Sequence, residues 1–254
     1  MILVTDIDVW GFQHAIRGMR NPMNSWEKSD SYYDGFLMTE GEEKYIADYV
    51  IGKADADLMH RLFKAGTEHR KYMRQIFVSM DITAPLYWWK EFDTYKVGTV
   101  ANSCSTMHKI ASKVFELDDF SHEHLGVDIP AELNEGDAVH QNLWEVCLEK
   151  TVMCLNQARH EYLRATDPGL KKQYWWQMIQ LLPSSYNQKR TVTISYENAA
   201  AMIRQRTGHK LDEWHVLVER LMNLPYMDVI INGEWGKLEY ADNDTAQSGL
   251  SSAT

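Results

Sequence analysis

The sequence predicts an α+β domain, and three observations carry that prediction. Stretches at 1–10, 76–83 and 190–196 are rich in β-branched residues and partly alternate, which reads as strand. Between them lie segments whose apolar residues recur at helical spacing. No internal repeat, linker or low-complexity middle divides the chain, so residues 1–240 read as a single domain.

Each element follows from local chemistry. MILVTDIDVW places Ile2, Val4, Ile7 and Val9 in a first strand. Arg17–Tyr33 is polar and rich in Asn, Ser and Met, and reads as an irregular loop. TEGEEKYIADYVIG reads as a helix with Thr39 as N-cap, Glu42 at the capping-box position and Gly52 at its stop. Ala54–Ala65 is a second helix, ended by Gly66. The basic run HRKYMR at 69–74 leads into the period-2 strand IFVSMDIT. Residues 85–95 form a helix with Pro85 in its first turn, where a missing N–H costs least. Gly98 interrupts, and Ser103–Phe115 reads as a helix again.

Leu117–Gly136 is an acidic loop containing Pro130. Ala138–Thr166 is the longest helix, with Leu143, Cys147, Cys154, Ala158 and Tyr162 at helical spacing. Asp167, Pro168 and Gly169 break it; a shorter helix then runs to Leu182 and stops at Pro183. Arg190–Tyr196 is a strand, and Asn198–Gln205 and Asp212–Asn223 are helices. Residues 241–254 turn to Asp, Asn, Ser, Thr, Ala and Gly, the composition of a disordered tail.

Composition narrows the function classes. The net charge of −10 argues against a nucleic acid polymer as partner, because phosphate neutralisation supplies most of that affinity. A single nucleotide needs only one local cluster of Arg and Lys. Nine Trp and thirteen Tyr point to an aromatic-heavy core or a buried subunit interface. Three sparse cysteines fit a reducing compartment, and Cys147 and Cys154 are too far apart along a helix to pair. No signal-peptide pattern or long apolar run is seen, so a cytoplasmic protein without a membrane span is expected. No HxxxH or HExxH spacing calls for a metal, and no GxGxxG or Walker loop is present.

Two segments carry more information than the rest: TAPLYWWKEFDTYKVGTVANSCSTMH at 83–108 and LLPSSYNQKRTVTISYENAAAMIRQR at 181–206. In order and separation they resemble the flavin-dependent thymidylate synthases. That family carries Arg-His-Arg, two spacers, Ser, four spacers, Ser, one spacer and Arg after an Ala-Pro helix start. Here Ala84 and Pro85 fit the start. Thr94, Tyr95 and Lys96 fall on Arg-His-Arg, Thr99 and Cys104 on the two serines, and Thr106 on the last arginine. Arg206 falls on a nucleotide-binding arginine, whereas Ser195, Glu197 and Ala201 replace flavin contacts and Ile179 another arginine.

The resemblance implies a small antiparallel sheet flanked by helices, assembled as a homotetramer. It implies reductive methylation of dUMP to dTMP, with methylenetetrahydrofolate as carbon donor, FAD as hydride carrier and NADPH as reductant. A pyrimidine nucleotide monophosphate would then meet Arg206, Thr99, Cys104, Glu91 and Lys189, with Arg190 as a further substitute cation. A flavin would meet Lys96, Tyr95 and Asn102. Arg70 and Arg74, in the densest positive run of the chain, are the first candidates for missing phosphate contacts, and Arg17 and Arg20 the second. Trp88, Phe92 and Tyr95 form a stripe that is either core or a stacking face. The alternative is a diverged homologue that binds a nucleotide, or acts as a structural or interaction protein, without a flavin.

Overall fold

The computed structural model describes residues 2–34, 48–125 and 143–233. In chain order its strands are β1 (Leu3–Trp10), β2 (Tyr32–Asp34), β3 (Asp48–Val50), β4 (Phe77–Pro85), β5 (Thr99–Ser103) and β6 (Asn187–Ser195). Its α-helices are α1 (Phe12–Arg20), α2 (Lys53–Lys64), α3 (Leu86–Phe92), α4 (Thr106–Lys109), α5 (Leu143–Arg164), α6 (Pro168–Leu181), α7 (Tyr196–Arg206), α8 (Asp212–Met222) and α9 (Met227–Asn232). Two compact units form: residues 1–10 with 77–221, and residues 11–76 with 222–254.

The first unit is built on an antiparallel sheet of order β1-β4-β6-β5. Central strand β4 buries alternate residues Val78, Met80 and Ile82, as a sheet with one packed face requires. Val192 and Ile194 on β6 do the same. The other face is polar and cross-linked. Thr193 Oγ1 donates to Ser79 Oγ at 3.1 Å, and Thr191 Oγ1 to Asp81 Oδ1 at 2.6 Å. Edge strand β1 shifts register between Thr5 and Asp8, a bulge in which Asp6 takes φ 51°.

Helices leave this sheet at residues chosen for the exit. Pro85 is extended (φ −68°, ψ 151°) and starts α3. Ser195 ends β6, and its hydroxyl caps α7 by accepting from Asn198 N–H. Asp167 caps α6 in the same way, with Pro168 in the first turn, so the predicted break is a helix start. Trp88, Trp89, Phe92, Tyr196 and Trp214 are all but fully buried. Trp88 and Trp214 lie 4.8 Å apart between ring centroids, and Phe92 stacks on Trp214 at 6.3 Å. Trp88 and Phe92 of the predicted stripe are therefore core, while Tyr95 lies beyond α3, which ends at Phe92, and is half-buried. A second cluster joins Ile110, Phe115 and Phe120 to Leu148, Val152, Leu155 and Ala158 of α5 and Met178 of α6.

Several sequence expectations need correction. Ser103–Phe115 is not one helix: Thr99–Ser103 is strand β5, paired with β6, and α4 is a single turn. The β-branched Thr99 and Val100 favour this pairing, but a partner 95 residues away (Ile194 opposite Thr99) leaves no local trace. Cys104 precedes α4, and its N–H donates to Lys189 O at 2.9 Å.

In the second unit, Arg17–Arg20 belongs to α1 rather than a loop. Phe12, Ala15, Ile16 and Met19 form its buried stripe. Asp48–Val50 is strand β3, paired with β2, and Gly52 opens α2 rather than closing a helix. Thr39, Glu42, the Pro130 region and the 241–254 tail lie outside the described residues. At the centre of this unit Arg20 Nε meets Asp55 Oδ1 at 2.6 Å, both side chains buried. Asp55 Oδ2 accepts from the Ser29 and Ser31 hydroxyls, each at 2.6 Å. Those bonds satisfy a charge that burial alone would make costly.

Candidate functional site

Two constellations of polar groups occupy the first unit. The first joins α3, α7 and α8. Glu91 Oε2 accepts from Arg206 Nη1 at 2.8 Å and from Trp214 Nε1 at 3.0 Å, and lies 3.3 Å from His209 Nε2. Arg206 Nε donates to the Tyr95 hydroxyl at 3.0 Å, and that hydroxyl donates to Gln205 Oε1 at 2.9 Å. The guanidinium also lies over the Trp214 ring, 4.4 Å from its centroid. Arg206, Glu91 and Tyr95 are thus brought together, but bonded to each other.

The second constellation lines a cleft of about 570 Å³ where β5 and β6 meet α4. Cys104, Ser105, Thr106, Lys109, Lys113 and Lys189 line it, with Phe115 and Tyr186 as apolar wall and Asp118 and Asp119 at one side. Gln188 fixes the loop by donating from Nε2 to Cys104 O at 2.8 Å. Lys113 is paired with Asp119, which raises its pKa, and Lys189 Nζ is 2.6 Å from Asp81 Oδ2. The Lys189 and Thr191 hydrogen bonds hold the Asp81 carboxyl below the usual carboxylate range. Lys109 is exposed and has no ion pair among the described residues. Lys109, Lys113 and Lys189 are thus matched in number by Asp81, Asp118 and Asp119, and Lys109 is left as the cleft's cation without an ion pair among the described residues.

The other predicted residues are placed as follows. Thr99 and Asn102 lie on β5, Asn102 exposed and opposite Thr191, and Thr99 Oγ1 accepts from Asn198 Nδ2 at 3.3 Å. Lys96 is exposed beyond α3. Arg190 is held three ways: Nη1 to Asp93 at 2.7 Å, Nε to Gln188 at 3.0 Å, and its guanidinium 4.1 Å from the Trp89 ring. Ile179 packs against the α5–α6 cluster. Arg70 and Arg74 belong to the second unit, on a 3₁₀ turn (Arg70–Gln75), where Arg70 Nη2 donates to Thr67 Oγ1 at 3.1 Å. Sequence reasoning missed His209, Trp214 and Lys109. Trp214 was legible only as a helix aromatic, and Lys109 only once β5 was recognised.

Ser195 is buried and its hydroxyl caps α7, Ala201 has no polar group, and the Tyr95 hydroxyl is bonded to Arg206 and Gln205. Lys96 and Asn102 stay exposed with polar ends. Within one subunit these residues do not fit a flavin. Among the described residues no cluster of His, Cys, Asp or Glu could hold a metal ion, and no helix is long and apolar enough to cross a membrane.

The sheet order, the β4–α3 and β6–α7 exits and the flanking helices define a thymidylate synthase-like α+β fold of the flavin-dependent type. The chain is similar to thymidylate synthase X from Helicobacter pylori, solved with FAD and dUMP, at a TM-score of 0.55 and 14% identity over 90% of this chain and 95% of that one. A second structure of the flavin-dependent enzyme from Helicobacter pylori, complexed with FAD and dUMP, gives a TM-score of 0.55 and 16% identity over 88% and 96% of the two chains. No protein-family profile matches the chain, and no curated protein matches it by sequence.

Proposed function

We propose that this protein binds a pyrimidine nucleotide monophosphate on a flavin-dependent thymidylate synthase framework, with dUMP the first candidate. One observation carries the reading. Cys104 and Thr106, which align with the family signature, line one wall of the lysine cleft, and Lys189, from the second motif segment, lines another. Lys109 and Lys189 supply charge to a phosphate, while Ser105, Thr106 and Ser112 supply neutral donors. Phe115 and Tyr186 offer apolar surface to a ring. Calorimetry with dUMP tests this. Binding that Lys109→Gln weakens supports it, and no heat of binding for the native protein overturns it.

The finer reading is the reaction itself: methylation of dUMP to dTMP by a homotetramer, with methylenetetrahydrofolate, FAD and NADPH. Two neighbours that carry FAD and dUMP, matched over about nine-tenths of this chain, favour it. When bound, the flavin would supply the hydride, so no protein nucleophile is needed. The occupied state of Ser195, Tyr95 and Arg206 favours the alternative, a homologue that keeps the nucleotide and not the flavin. The visible absorption of the purified protein with added FAD separates the two. A bound-flavin spectrum followed by tritium release from labelled dUMP supports the synthase. FAD that stays free in solution removes it and leaves nucleotide binding to be judged by the calorimetry.

A further inference from the structure

The second unit holds a cavity of about 610 Å³ that the reading above does not use. Its volume is in the range, roughly 300–1,000 Å³, of small-molecule sites. The wall comes from α1 on one side, residues 21–31 below, and Tyr32, Tyr33 and Tyr49 of β2 and β3 opposite. Three of its rings are about half exposed: Trp26 at 49%, Tyr32 at 56% and Tyr33 at 48%. Aromatic faces left open to water around a concave site are surface on which a planar ring stacks.

The polar groups of this wall are sorted by sign. Trp26 Nε1, which can only donate, is bonded to Asn21 Oδ1 at 2.7 Å and so leaves the Asn21 amide N–H groups as donors. The Tyr33 hydroxyl donates to Gln13 Oε1 at 2.6 Å, leaving the Gln13 amide N–H groups. Arg17 is exposed and has no ion pair or hydrogen bond among the described residues. Arg20 lines the cavity too, but its charge is held by Asp55. Among the described residues that line the cavity there is no aspartate or glutamate. What is uncommitted is therefore a cation and a set of amide donors, which ask for an anion and for acceptor-bearing ring edges.

From this combination we infer that the second unit is a binding site for a nucleoside monophosphate, its base against Trp26 and the tyrosines and its phosphate on Arg17. The hydrogen bonds Trp26–Asn21 and Tyr33–Gln13, and the edge-on contact of Tyr33 with Tyr49 at 5.0 Å, fix the rings before any ligand arrives. Preorganised rings lose little entropy on binding. The site shares no lining residue with the lysine cleft of the first unit.

The test is calorimetric titration of the full chain with AMP, GMP, CMP, UMP and dUMP, with adenosine and inorganic phosphate as half-ligands. At least one monophosphate binds with a Kd below about 1 mM, and Arg17→Gln and Trp26→Ala each weaken it by about tenfold or more. Trp26→Phe keeps most of the affinity, because the ring persists. Binding that Arg17→Gln weakens and Lys109→Gln does not belongs to this site, and binding with the reverse pattern belongs to the lysine cleft, so failure here and failure of the dUMP reading, on which this inference does not depend, are told apart. Arg17 is exposed, so its variant folds even if a Trp26 variant does not. Absence of binding by all five monophosphates, or binding indifferent to both Arg17→Gln and Trp26→Ala, overturns the inference.

Discussion

Arg206 donates from Nη1 to Glu91 Oε2 at 2.8 Å, so the arginine that aligns with a nucleotide ligand of the family is held by a carboxylate of its own chain. This one carboxylate changes what the arginine does. Arg206 is mostly buried, clamped between Glu91, the Tyr95 hydroxyl and the Trp214 ring.

Glu91→Ala leaves Arg206 and the Trp214 N–H without their acceptor. Charge-assisted bonds are worth about 1.5–3 kcal/mol each, so urea denaturation should show a loss of about that size. Glu91→Gln keeps an acceptor and should lose less. If dUMP binds more tightly to Glu91→Gln than to the native protein, the released guanidinium has joined the ligand site. An unchanged Kd assigns Arg206 to structure alone.

Trp214→Ala removes a fully buried ring that touches Trp88, Phe92 and Tyr95. Large-to-small changes of this kind cost about 3–5 kcal/mol. Thermal unfolding followed by near-ultraviolet circular dichroism should show both the lower midpoint and the lost aromatic signal. A shift within error would mean that the aromatic cluster carries less of the core than its burial says.

Asp55 sets the acid limit of the second unit. Burial pushes its pKa up, but hydrogen bonds from Ser29, Ser31 and Arg20 outweigh that and leave it below the ordinary carboxylate value. A depressed folded pKa gives stability that is fully present above the unfolded value of about 3.9 and is lost as pH falls through the folded one. Native stability should therefore fall as the solution is acidified below about pH 4, and Asp55→Asn should flatten that part of the curve. Asp55→Ala, which strands a buried Arg20, should cost about 3–5 kcal/mol at neutral pH.

Gly11 has φ 101°, and a Cβ built on it would sit 2.1 Å from the backbone oxygen of Gln75. Strained positions of this sort cost about 1–3 kcal/mol, and the clash with backbone adds to it. Gly11→Ala should therefore lower the unfolding midpoint more than Gly66→Ala, where φ is 108° but nothing lies within 4 Å. Equal effects would show that the conformation, not the contact, decides.

The sequence made the frame legible where its signals were local. Pro85 at the start of α3, Asp167 and Pro168 at the start of α6, and the alternation in β4 and β6 each follow from neighbours a few residues away. β5 did not, because its reason to be extended is β6, far along the chain. Helix α1 was legible and passed over: its stripe Phe12, Ala15, Ile16, Met19 has helical spacing, hidden under a polar reading of the residues that follow. Of the candidate site, the residue types at Cys104, Thr106 and Lys189 were in plain view. That Glu91 would claim Arg206, 115 residues later, was not.

Trp10 and Phe77 are ladder partners, with rings 6.0 Å apart. The chain thus leaves the sheet at one residue and re-enters it directly opposite, after the whole of α1, α2 and the hairpin. A detour with adjoining ends is topologically silent: the ladder of β1 and β4 is the same whether the path between is long or a tight turn. Insertions, deletions or grafts between those two points leave the pairing register as it is, and the stretch that carries the aromatic cavity can diversify without asking the sheet to change.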